Sequence, residues 1–188
     1  METVMIPIDR IAVLIGTRGS SKREIEAKTG AKLQIDEEGQ VLINARETYA
    51  EYITKEIVKA VGRGFSPETA LRLCDGDYYL KVINLEEALG SEKAVDRQKA
   101  RIIGENGRTK EMIEECSGAK VCIYGGTVSF IGLIDEISLA TEAVEKLLDG
   151  KPHSVVYKFL EHGRKLIKEE RIAHMWEPAP AEPKGKKE

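Results

Sequence analysis

The chain is short of aromatic side chains and of cysteine, and it has no long apolar run. Aromatics make up 5% of its 188 residues, which argues against the stacked-ring platform on which many RNA-binding sheets hold bases. Its three cysteines, Cys74, Cys116 and Cys122, lie at no CxxC spacing and read as free, buried or half-buried thiols in a reducing compartment. His153, His162 and His174 are too scattered to suggest a metal cluster. No stretch nears the roughly 18–20 apolar residues that cross a bilayer. The first seven residues hold no basic region followed by an apolar one, so no secretory signal is expected either. Neither glycine-rich segment ends in the Gly-Lys-Ser/Thr of a nucleotide-binding P-loop. Clustered carboxylates that could hold nuclease metals are available at Asp36-Glu37-Glu38, Asp75 with Asp77, and Glu114-Glu115, which read as turns and a helix face. Catalysis and a cofactor are therefore not expected.

What the chain does have is an internal repeat. Ile15-Gly16-Thr17-Arg18-Gly19 returns, 88 residues on, as Ile103-Gly104-Glu105-Asn106-Gly107. The register continues without a gap: Lys22, Ile25, Glu26, Gly30, Ala31, Lys32 and Ile35 match Lys110, Ile113, Glu114, Gly118, Ala119, Lys120 and Ile123. Charge follows the repeat. The formal net charge is −3, yet residues 10–32 carry +4 and residues 97–120 carry +2, leaving −9 on the rest. Cations gather at two glycine loops on an acidic body, which concentrates attraction for an anion at chosen places.

Periodicity predicts one order of elements for both copies. In the first, Val4–Ile6 reads as a strand ended by Pro7, Asp9 as the cap of a helix, and Ser20 or Ser21 as the cap of a second helix ending at Gly30. Lys32–Asp36 and Val41–Ile43 read as a hairpin, and Tyr49–Val61 as a helix with Ile53, Ile57, Val58 and Val61 inward. In the second, Tyr79–Ile83 is the first strand, followed by a longer helical stretch with extra residues around Gly90. Thr109–Cys116 is the helix after the loop, Lys120–Tyr124 pairs with Thr127–Ile131 across Gly125-Gly126, and Ile137–Leu148 closes the copy. Each copy gains one more helix, opened by Ser66-Pro67 and by Ser154, the latter running to about Ile172. His174, Met175 and Trp176 read as a hydrophobic anchor closing the last helix, and residues 177–188 as a disordered end. The expected domains are residues 1–75 and 76–176.

A helix, a four-residue glycine loop and a second helix present unpaired N–H groups and a helix dipole to an anion. Glycines without Cβ let a sugar-phosphate chain come close. Gly16, Thr17, Arg18 and Gly19 with Lys22 and Arg23, and Gly104, Glu105, Asn106 and Gly107 with Arg108 and Lys110, are therefore the candidate RNA-binding residues. Each lysine sits one turn into its helix and can add a charge-assisted phosphate contact. Ile11, Leu14, Ile15, Ile102, Ile103 and Ile113 are mostly core, with some left for a groove that holds bases.

Leu14–Gly19 with Thr29–Ile35, and Arg101–Lys110 with Ser117–Ile123, resemble the KH domain, in which the GXXG loop clamps about four single-stranded nucleotides. The resemblance implies an α+β fold of two type I KH domains, β-α-α-β-β-α, each followed by an extra helix. The paired domains, the insertion before the second loop and the two added helices further resemble the Partner-of-Nob-One family of small-subunit rRNA processing factors in its short archaeal form, over roughly residues 3–176. That resemblance implies a cytoplasmic ribosome-biogenesis factor on the 3′ region of small-subunit (pre-)rRNA. The implied partners are an rRNA-processing endonuclease and the alpha subunit of translation initiation factor two. Glu105 departs from the basic residue many KH loops carry, and sets an anion beside phosphates. The alternative is an adaptor in which one copy docks a protein instead of RNA.

Overall fold

The computed structural model describes residues 2–176. The predicted tail, residues 177–188, and the side chains of His174, Met175 and Trp176, read as an anchor, lie outside the described residues. The fold is α+β, with two antiparallel three-stranded sheets. In the first copy β1 (Glu2–Met5), α1 (Ile8–Ile15), α2 (Ser20–Thr29), β2 (Lys32–Ile35), β3 (Gln40–Asn44) and α3 (Thr48–Gly62) follow the expected order. A short α4 (Pro67–Ala70) and a 3-10 turn at Leu71–Cys74 come next. The second copy runs β4 (Tyr79–Asn84), α5 (Leu85–Leu89), α6 (Glu92–Ile103), α7 (Arg108–Ser117), β5 (Lys120–Tyr124), β6 (Thr127–Gly132) and α8 (Ile134–Leu148). The final helix is α9 (His153–Trp176). In both sheets the last strand lies in the middle, giving β1-β3-β2 and β4-β6-β5.

Alternation sets the two cores. Leu33, Val41 and Ile43 from the first sheet meet Leu14, Ile25, Ile57 and Val61 from its helices, all buried. Val121, Val128 and Phe130 meet Ile102, Ile113, Ala140 and Val144 in the second. The outer faces differ. On β3 the outward positions are Gln40, Leu42 and Asn44, exposed or half-buried. On β6 every residue is buried, and outward-facing Ile131 packs with Leu80 and Cys122 on the first copy's core. The middle strand of the second sheet is thus covered on both faces, and covering Ile131 contributes about 2–3 kcal/mol. Ser129, on the same outer face, is buried with no hydrogen-bond partner for its hydroxyl, a local cost of about 1–3 kcal/mol.

Three expectations need correction. Asp9 does not cap α1: Pro7, with φ of −57°, starts the helix a residue earlier and puts Asp9 in its first turn. The Asp9 carboxylate instead accepts a hydrogen bond from the Tyr124 hydroxyl of the second copy. Neither Ser20 nor Ser21 caps α2, because the chain enters that helix directly from Gly19 in a left-handed conformation. The stretch after β4 is two helices and not one, since Gly90 ends α5 at φ 64° and Ser91 is extended. The Ser66 cap does form, its hydroxyl accepting from the Thr69 amide at 3.3 Å. All three cysteines are free, and burial pushes each thiol above its ordinary pKa, so none is an activated thiolate.

Candidate nucleic-acid interface

The two glycine loops share one backbone conformation. Gly16 and Gly104 have φ, ψ of 72°, 174° and 74°, 176°. Arg18 and Asn106 stand at φ 53° and 52°, and Gly19 and Gly107 at 77° and 80°. Arg18 and Asn106 are the non-glycine residues at positive φ among those described. Asn adopts that region readily, whereas a left-handed Arg costs about 1–2 kcal/mol. Each loop is closed by two backbone bonds: Gly16 N–H to Ala12 O at 2.9 Å and Gly19 N–H to Gly16 O at 3.1 Å, then Gly104 N–H to Ala100 O at 2.9 Å and Gly107 N–H to Gly104 O at 3.2 Å.

The two glycines of a loop are needed for different reasons. A Cβ on Gly16 would sit 2.8 Å from the Ser21 amide nitrogen, and one on Gly104 2.7 Å from Thr109 Cβ. A Cβ on Gly19 or Gly107 would meet nothing within 4 Å. The first glycine lets the chain cross its own following helix, while the last faces open space. No side chain caps α2 or α7, so their first-turn amides have no side-chain acceptor, as an anion site requires.

Thr17, Arg18, Glu105, Asn106 and Arg108 are exposed, and Lys22 and Lys110 half-buried, all clustered at their loops. Arg23 is committed within its loop, donating Nη2 to Arg18 O at 3.0 Å and Nε to Gly19 O at 3.2 Å. It braces the strained turn and brings positive charge there. Of the six candidate groove isoleucines and leucines, Leu14, Ile102 and Ile113 are core. Ile15 and Ile11 are half-buried, and Ile103 is 37% exposed. Of the two residues just before a first glycine, Ile103 is thus exposed and Ile15 half-buried.

Two devices that fix the helix after each loop and the turn that follows it were not foreseen from the sequence. Glu26 Oε1 accepts from the Leu33 amide at 2.9 Å, and its repeat Glu114 from the Val121 amide at 2.8 Å. Each carboxylate ties the helix after the loop to the edge strand, fixing the spacing between the two. Thr29 and Ser117 return their hydroxyls to Ile25 O at 2.8 Å and Ile113 O at 2.6 Å, and accept from the Ala31 and Ala119 amides. The Glu26–Glu114 identity was the available signal; its purpose shows only with the strand beside it.

Residues 79–165 match the model of the eukaryotic-type KH domain (KH-domain type I), and residues 1–53 match the KH domain model. The fold and the paired loops define a tandem KH protein. A KH domain-containing protein of Methanocaldococcus jannaschii is 42% identical over 180 residues, spanning 94% of this chain and 79% of its own. The chain belongs to that KH-domain family. The pre-rRNA-processing protein pno1 of Aspergillus fumigatus is 30% identical over 118 residues, covering 61% of this chain and 47% of that protein. Among solved structures, Dim2p from Pyrococcus horikoshii OT3 superposes with a TM-score of 0.80 at 47% identity, covering 86% of this chain and 98% of Dim2p. A chain in the Pyrococcus horikoshii a/eIF2alpha–aDim2p–rRNA complex superposes with a TM-score of 0.82 at 47% identity, covering 87% and 93%.

Proposed function

We propose that the chain binds single-stranded RNA through both GXXG loops and works, without catalysis of its own, on the 3′ region of small-subunit rRNA in the cytoplasm. The observation that carries this reading is the pair of backbone-identical loops, each ending in a glycine with open space where a Cβ would stand. Gly16, Thr17, Arg18, Gly19, Lys22 and Arg23 then act on one stretch of backbone, and Gly104, Glu105, Asn106, Gly107, Arg108 and Lys110 on the other. The division is at residues 1–75 and 76–176, one binding unit each. The complex of the 47%-identical aDim2p with rRNA and a/eIF2alpha supports rRNA as the ligand and the alpha subunit of initiation factor two as a protein partner; the small subunit is what the family resemblance suggests. An rRNA-processing endonuclease is the further partner the family resemblance suggests.

Affinity for a single-stranded oligonucleotide with the 3′-terminal sequence of small-subunit rRNA is expected to exceed that for its duplex. Its logarithm should fall with log salt by about 0.7 for each phosphate neutralised. Equal affinity for strand and duplex, or a flat salt response, contradicts the proposal.

A further inference from the structure

The second loop carries Glu105 where the first carries Thr17, yet three arginines line the surface beside it. A cleft of about 640 Å³ opens next to it between α6, the start of α7 and the start of α9. Its lining includes Arg97, Arg101, Arg108, His153 and Tyr157, and it shares Gly104 and Glu105 with the loop. Three guanidinium groups thus face one carboxylate. At the matching positions of the first copy, 88 residues earlier, stand Asp9, Val13 and Ser20. The basic cleft is not part of the repeat; it belongs to the second copy alone.

The cleft is held in shape. Arg101 donates Nη2 to Lys151 O at 2.8 Å, and His153 Nε2 meets Arg101 O at 3.0 Å. The Tyr157 hydroxyl bonds the Thr109 hydroxyl at 2.8 Å, fastening α9 to the helix that leaves the loop. Arg101 keeps a buried Nε with no hydrogen-bond partner. Arg97 and Arg108 are exposed, and no carboxylate pairs with either among the described residues. Two free guanidinium forks beside a third that is pinned suit the paired oxygens of a phosphate.

We infer that this cleft is a second phosphate site, holding the phosphodiesters of the RNA strand immediately beyond the nucleotides clamped by Gly104–Gly107. It rests on the loop reading above and extends it. A strand gripped at the loop must leave it, and the cleft shares the loop's own residues, so the next phosphates arrive without a detour. The arrangement also accounts for Glu105: attraction lost inside the second loop is supplied from its flank. An acidic protein segment has compatible charge but no reason to enter alongside the glycines.

The test uses the full chain with its first loop silenced by Gly19→Asp, and single-stranded oligouridylates as probes, a tetranucleotide and a dodecanucleotide. Adding Arg97→Ala should weaken the dodecanucleotide about fourfold at 0.15 M salt, the effect of one lost single-strand phosphate contact, and make its salt slope shallower by about 0.7. Arg97→Glu should weaken it further, and the tetranucleotide should be unaffected by either change. Equal losses for both lengths, no loss for either, or displacement of the RNA by oligoglutamate as readily as by RNA would overturn the inference while leaving the loop reading intact. Failure of the Gly19→Asp chain to bind either RNA overturns the second-loop reading itself, and the cleft with it.

Discussion

Gly16 and Gly19 stand three positions apart and carry different burdens, as do Gly104 and Gly107. At Gly16, φ 72° and ψ 174° define a conformation essentially closed to other residues, and a Cβ would press on the backbone of Ser21. Gly16→Ala and Gly104→Ala should each cost about 2–4 kcal/mol of stability. At Gly19 and Gly107 the left-handed backbone is accessible to Asp for about 1 kcal/mol, and the space around is open. Denaturant unfolding of the four single variants checks this; equal costs at first and last glycines would contradict the division. The repeated glycines were legible in the sequence because a positive φ restricts the residue at a fixed place. Which of each pair serves the fold and which serves the ligand was not, because that depends on Ser21 and Thr109 folding back across the turn.

At the scale of elements, periodicity carried the strands, the hairpin at Gly125-Gly126 and the closing helices, since each has an apolar face of its own. Helix starts were less legible. Pro7 and Gly19 replaced Asp9 and the serines as entry residues, and Asp9 was left free to bond Tyr124 in the other copy. Arg10 shows the same reuse: it donates to Val61 O at 2.8 Å and Phe65 O at 2.7 Å at the end of α3, and lies 5.7 Å from the Tyr124 ring centre. Gln98, its repeat, reaches Leu148 O at the end of α8. The Asp9 carboxylate, accepting the phenol's hydrogen bond, holds Tyr124 above its ordinary pKa near 10. A pKa raised on folding gives stability that is complete below about pH 10 and is lost as pH rises through the higher folded value. Tyr124→Phe should therefore lower stability below pH 10, and the gap from the parent should close as pH climbs past that point. Chemical unfolding across pH 8–11 measures it, and a gap independent of pH would count against the link.

For the whole molecule, two copies of one design have diverged in what surrounds them. The first sheet keeps a mixed, largely open outer face, while the second is partly covered by the first copy through Leu80, Cys122 and Ile131. Ile131 at an outward position of β6 hinted at this, but a single outward isoleucine does not say what covers it. The second copy also gains α9, tied back by Arg171 to Asp135 at 3.0 Å and Glu136 at 2.9 Å. The helix after Ser154 was expected, but its docking and the outward burial depend on contacts between residues far apart in sequence, which periodicity cannot report. The loops, by contrast, rest on residues next to one another, and both were visible at once. Their role is tested most directly by the affinity of the Gly19→Asp, Gly107→Asp double variant for single-stranded rRNA 3′-end RNA, once its folding has been verified. Carboxylates at both open positions should reduce binding at least a hundredfold with the fold retained. A folded double variant that binds as tightly as the parent would contradict the account.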